Sequence, residues 1–148
     1  GALTGLNKDE MKKIYGEEKI HEFRRSWDNQ PEALNKNSPY HPINIETYKN
    51  IPKNKIPDTE SLKNTYERVI PFFEKNIKSK MDKNILIAAH GNSIRALCKY
   101  LFKIDNNKIS KLEIPTGNPL ILKFSENKKL ISGNYLDKNR AKDLLIFS

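Results

Sequence analysis

The run Ile87-Ala88-Ala89-His90-Gly91-Asn92-Ser93 carries the strongest chemical signal: an apolar stretch of strand length, a glycine turn, then a helix opening. In open α/β sheets ligands bind at the carboxyl ends of strands, and the free N–H groups of a helix N-terminus attract anions. His90 stands at that junction. A protonated imidazole beside phosphate has its charged form favoured and can donate to a developing phosphoryl charge. A satisfied structural histidine at a strand end fits the same spacing equally well. Arg24-Arg25 closes a helical pattern, and adjacent guanidinium forks suit a bidentate grip on phosphate or carboxylate. The helix macrodipole also favours a solvated arginine pair there, and on local grounds that reading is the stronger. Lys8 adds a cation with almost no local information.

Two other chemistries fail on detail. Gly91-Asn92-Ser93 begins like a hydrolase nucleophile elbow, but Arg95 stands where its second glycine belongs. Gly1 to Lys8 faintly suggests a phosphate-binding P-loop, but the spacing is short and Asp9 replaces the hydroxyl residue. His21 and His41 have no companion at metal-ligand spacing and read as surface or structural residues.

The elements that must position these groups follow from periodicity. Met11, Ile14, Tyr15, Ile20 and Phe23 fall near helical spacing between Asn7 and Arg25, with Asp9 and Glu10 at the start and Gly16 dividing the run into two short helices. From Trp27 to Pro57 there are five prolines and no sustained period, so an irregular loop or lid is expected over 27–57. Leu62, Tyr66, Val69, Phe73 and Ile77 predict a helix within Asp58–Met81, kinked or divided at Pro71. Asn84–Ala89 predicts a strand buried on both faces. A helix over Asn92–Lys103 follows, with Ile94, Leu97, Cys98 and Leu101 inward. Pro119–Phe124 and Lys129–Leu136 flank the turn Ser125-Glu126-Asn127-Lys128 and read as a hairpin.

Composition narrows the class. With 36% hydrophobic and 30% charged residues over 148 positions, a core is affordable and a collagenous or low-complexity chain is disfavoured. No stretch approaches the 18 or more apolar residues of a spanning helix, so no membrane partner is expected. One cysteine, Cys98, excludes an intrachain disulfide and a cysteine-rich zinc site. That fits a reducing compartment, and with no secretory signal at Gly1-Ala2-Leu3-Thr4 a cytoplasmic location is expected. The net charge of +9 lies wholly in residues 75–148. It consists mostly of isolated lysines without a like-charge run, which argues against nucleic acid as partner.

Gly1-Ala2-Leu3-Thr4-Gly5-Leu6-Asn7-Lys8, Arg24-Arg25-Ser26-Trp27, Thr59-Glu60-Ser61-Leu62, Arg68-Val69-Ile70-Pro71, Ala88-Ala89-His90-Gly91-Asn92-Ser93-Ile94-Arg95-Ala96-Leu97 and Ile114-Pro115-Thr116-Gly117 occur in order along the chain. Together they resemble the successive motifs of 2,3-bisphosphoglycerate-dependent phosphoglycerate mutase, within the wider histidine phosphatase superfamily. The resemblance implies a cytoplasmic enzyme of glycolysis and gluconeogenesis that interconverts 3-phosphoglycerate and 2-phosphoglycerate through a phosphohistidine. It also implies 2,3-bisphosphoglycerate as primer and no metal. Carried over by position, His90 matches the active-site histidine that stabilises the transferring phosphoryl group. Gly91 and Asn92 match substrate contacts, and Lys8, Arg24 and Arg25 match residues that bind the phosphate and carboxylate of the phosphoglycerate.

The family's nucleophilic histidine lies in an Arg-His-Gly motif, and here His90-Gly91 follows Ala89 instead. Neither that nucleophile nor the family's acid/base glutamate has a counterpart, and covalent transfer needs both. The segment Asp137–Ser148 is also short for the family's closing tail. The expectation is therefore α/β: the C-terminal portion of a phosphoglycerate mutase-like three-layer α/β/α fold without its N-terminal strands and helices, one partial domain over 1–148, inactive alone. Alternatives are a noncatalytic module that binds a phosphorylated acid and a broad phosphatase of the superfamily. A strand at Asn84–Ala89 without neighbours would leave backbone groups unpaired, so a homo-oligomer is expected.

Overall fold

The computed structural model describes residues 1–141 of the chain. They divide into two compact units, Gly1–Leu62 and a second that begins at Lys63.

In the first unit, helix α1 spans Lys8–Tyr15 and α2 spans Glu17–Arg25. Asn7 caps α1: its Oδ1 accepts from the N–H groups of Asp9 at 2.8 Å and Glu10 at 3.3 Å, satisfying two of the donors a helix start leaves open. Gly16 separates the helices with φ 85° and ψ 153°, a conformation that a side chain at this joint would strain. From Trp27 to Pro57 the chain forms three short 3-10 turns, Pro42–Asn44, Glu46–Tyr48 and Lys53–Lys55. The loop is tied at its base. Leu34 N–H donates to the Asp58 carbonyl at 2.9 Å, and the Thr59 hydroxyl donates to the Pro31 carbonyl at 2.6 Å. His41 is fully buried; its Nδ1 accepts from Ile43 N–H at 3.3 Å and its Nε2 lies 3.0 Å from Asp58 Oδ1. Both ring nitrogens are thus engaged, which makes His41 a structural residue.

Helix α3 spans Leu62–Phe72, and all of it after Leu62 belongs to the second unit. Pro71 has no N–H to complete the helical ladder, and the coil widens next into a π turn at Phe73–Ile77, followed by a 3-10 turn at Lys78–Lys80. The expected interruption therefore takes the form of a change of helix type. Ile70, Phe73 and Leu97 form a core, with Tyr66, Val69, Ile77, Met81, Tyr100 and Leu101 packed against it. Tyr66 and Phe73 each meet the Tyr100 ring edge-on, with centroids 6.4 Å apart. Tyr100 donates to Glu74 at 2.7 Å, while Lys78 holds the same carboxylate at 2.8 Å.

One expected element is overturned. Asn84–Ala89 is not a strand: it lies exposed, without a ladder partner among the described residues, and Leu86 is 93% accessible. A strand exists only through hydrogen bonds to a neighbour, and the sheet present among the described residues is the antiparallel pair β1 (Leu120–Phe124) and β2 (Leu130–Tyr135), which does not include this run. The hairpin forms as expected, with Leu120 opposite Tyr135 and a bulge after Lys123. Asn118 and Asp137 close its open end. Asn118 Nδ2 donates to the Asp137 carbonyl at 2.8 Å, and Asp137 N–H donates back to Asn118 Oδ1 at 3.0 Å. Asp137–Ser148, expected to be a shortened closing tail, falls outside the described residues beyond 141.

The exposed run Ile85-Leu86-Ile87 leads to a prediction. The 148-residue chain is expected to self-associate at micromolar concentration, and Leu86→Lys to shift it toward monomer, because a charge within an exposed apolar run opposes its burial against a second copy. Sedimentation velocity on both proteins reads this, and a wild-type chain that sediments as a monomer would overturn it.

Candidate functional site

The exposed run ends at His90, which caps helix α4 (Gly91–Leu101) with extended φ −63° and ψ 146°. Its carbonyl accepts from Ser93 N–H at 2.9 Å and Ile94 N–H at 3.1 Å, the first bonds of the helix. Its Nδ1 accepts from Asn92 N–H at 3.4 Å. With Nδ1 turned to the helix as an acceptor, Nε2 is the ring nitrogen left for other partners. The imidazole is exposed, and its donating atom is therefore Nε2. Gly91, read from sequence as a turn residue, is the first residue of the helix and not a left-handed turn. A Cβ there would meet nothing within 4 Å, so neither backbone nor packing in the described residues demands glycine. The approach to the helix start is open.

Sequence reasoning missed Arg95. It is 3% exposed, and Arg95, Ala96, Leu97 and Cys98 form the buried side of α4. Nε donates to the Leu112 carbonyl at 2.9 Å and Nη1 donates to Asn92 Oδ1 at 2.5 Å. The signal was present: an arginine within an otherwise apolar helix face, three residues after Asn92 and so on the same side of the helix.

The other candidates lie in the first unit. Lys8 opens α1 and is exposed; Arg24 and Arg25 close α2, the first exposed and the second half-buried. Lys8, Arg24 and Arg25 thus belong to one compact unit and His90, Gly91 and Asn92 to the other. Among the described residues no group of three or more His, Cys, Asp or Glu side chains is arranged to hold a metal. No helix among them is long and apolar enough to cross a membrane.

Cys98 lies on the same helix yet is chemically silent, because burial pushes its thiol up to about 12. Iodoacetamide at about pH 8 is expected to leave it unmodified in the native chain and to modify it after unfolding, since the thiolate is the reactive form. Intact-mass spectrometry reads the difference; equal labelling of both states would contradict it. The folded thiol keeps its proton to about 12, whereas the unfolded one loses it near 9.0. The associated stability is therefore complete below the lower value and lost as pH rises through the higher one.

Residues 36–134 match the family model described as histidine phosphatase superfamily (branch 1). The chain belongs to that superfamily. Its helices and small sheet are consistent with the α/β fold of the histidine phosphatases. Three curated relatives carry the name 2,3-bisphosphoglycerate-dependent phosphoglycerate mutase. The one from Pelagibacter ubique (strain HTCC1062) is 65% identical over 99% of this chain and 63% of its own length. Those from Buchnera aphidicola subsp. Cinara cedri (strain Cc) and Maricaulis maris (strain MCS10) are 48% and 41% identical, over 92% and 97% of this chain and 60% of each relative. The chain thus spans about three fifths of the length of these relatives.

Proposed function

We propose that this chain is the phosphoglycerate-binding part of a 2,3-bisphosphoglycerate-dependent phosphoglycerate mutase, with 3-phosphoglycerate and 2-phosphoglycerate as substrates and 2,3-bisphosphoglycerate as the primer. The observation that carries the reading is similarity along 99% of the chain to a relative of that name, with His90 capping an open helix start. In this assignment His90 Nε2–H donates to the phosphoryl oxygens as charge builds on them in transfer, and Asn92 Nδ2 adds donors at the helix start. Lys8, Arg24 and Arg25 hold the substrate's phosphate and carboxylate ends, for which guanidinium forks are matched in shape. Transfer moves the phosphoryl group from a phosphohistidine to a hydroxyl of the bound phosphoglycerate and needs no metal. The protein acts in the cytoplasm, in glycolysis and gluconeogenesis, as a homo-oligomer.

The nucleophile is not assigned to these residues. The only His-Gly step is His90-Gly91, after Ala89, and His90 Nδ1 already serves as the helix cap. The isolated 148-residue chain is therefore read as a binder that cannot form the phosphohistidine. The test is a mutase assay with 3-phosphoglycerate and a trace of 2,3-bisphosphoglycerate, on the complete protein that carries these residues and on the 148-residue chain in parallel. Turnover in the former alone supports the assignment. Absence of turnover in the complete protein overturns it, and turnover by the 148 residues alone overturns the account of the nucleophile. Thermal stabilisation of a turnover-free complete protein by 3-phosphoglycerate would favour the noncatalytic binding module.

A further inference from the structure

We propose that Arg95 is a positioning residue that sets which end of the Asn92 carboxamide faces the bound anion, a role that rests on the phosphoglycerate reading above. An asparagine amide has one accepting end and one donating end, and rotation about its last bond exchanges them. A guanidinium has donors only. With Nη1 2.5 Å from the Asn92 side chain, the end turned to Arg95 is Oδ1, and both Nδ2 hydrogens are left for other partners at the helix start. An anion there meets donors; the flipped amide would present it with a carbonyl oxygen.

Arg95 is held in that place by its second prong. Nε donates at 2.9 Å to the carbonyl of Leu112, a residue 2% exposed and 17 positions along the chain. A buried guanidinium is tolerated only when its donors are matched, and these two bonds lie on opposite sides of its function. One anchors the side chain to the backbone of a distant segment. The other transmits the anchor to Asn92. His90, two residues earlier, binds the Asn92 N–H, so the backbone and side chain of Asn92 are oriented by separate partners.

The test uses the complete protein that carries these residues, with Arg95→Met, Arg95→Lys, Asn92→Ala and the Arg95→Met/Asn92→Ala pair. Arg95→Met is expected to lower kcat/KM for 3-phosphoglycerate by about 10- to 100-fold, the scale on which a misplaced contact acts. Arg95→Lys should restore much of the loss, because an ammonium also only donates. In the Asn92→Ala background Arg95→Met should add no more than about twofold, since both changes remove one interaction. An equal loss in both backgrounds would mean a merely structural role and would overturn the proposal.

A readout independent of turnover separates this from the functional assignment. The Asn92 side-chain amide resonances are followed by NMR as inorganic phosphate is added. A shift in wild type and Arg95→Lys but not in Arg95→Met supports the positioning role even if the protein has no mutase activity. An undiminished shift in Arg95→Met, or none in wild type, overturns it. If Arg95→Met does not fold, Arg95→Gln replaces it: a glutamine amide both donates and accepts, so it no longer selects one orientation of Asn92.

Discussion

Replacing His90 with alanine in the mutase proposed above is expected to lower kcat for phosphoglycerate interconversion by about 100- to 10,000-fold, the span that loss of a placed donor or proton-transfer group covers. The side chain does two things, and the geometry allows them to be separated. Its Nδ1 caps α4 by accepting from Asn92 N–H, and its Nε2 is the donor left for substrate. His90→Ala removes both. His90→Asn keeps an acceptor suited to the cap while removing the distal donor, because asparagine is among the preferred cap residues. Both variants should lose turnover, but only the alanine variant should also lose about 1 kcal/mol of stability, the usual worth of a cap. Steady-state assays at saturating 3-phosphoglycerate, with urea unfolding of each variant, read the two effects. Near-normal kcat in His90→Asn would show that the imidazole acts through the fold and not through the phosphoryl group.

The second large effect is on stability. Phe73→Ala is expected to destabilise the chain by about 3–5 kcal/mol, the range for deleting a buried phenylalanine side chain, whereas Phe72→Ala should stay within about 0.5 kcal/mol of wild type. The two residues are neighbours, yet Phe73 is 5% exposed and Phe72 59%. Phe73 begins the π turn and packs with Ile70 and Leu97 and against the edge of Tyr100. Truncation would open a cavity that the helix partners cannot fill without moving. Urea unfolding midpoints measure both variants. Equal midpoints would mean that the π turn does not seat Phe73 in the core.

How much of this was legible beforehand depends on how far apart the interacting groups lie. Asn7, Gly16 and the apolar spacing of α4 announce their helices because caps, glycine joints and i to i+3 or i+4 contacts act within a few residues. The hairpin was legible for the same reason, its strands being joined by a short turn. The positions of His90, Gly91 and Asn92 at a helix start, and of Arg24 and Arg25 at a helix end, were likewise set by local pattern.

Tertiary structure decided the rest. Asn84–Ala89 has the composition of a buried strand, but a strand's hydrogen bonds go to another segment, and among the described residues none pairs with it. Arg95 had no role in the sequence pattern, because the acceptor that makes its burial tolerable, the Leu112 carbonyl, lies 17 residues away. His90 turns Nδ1 to the helix start, where it accepts from Asn92 N–H, and so leaves Nε2 outward. Sequence thus determined the helices, the hairpin and the residue types at their ends. Only the folded chain decided which strand forms, which amide end faces outward and which imidazole nitrogen donates, because those choices depend on partners that local spacing does not specify.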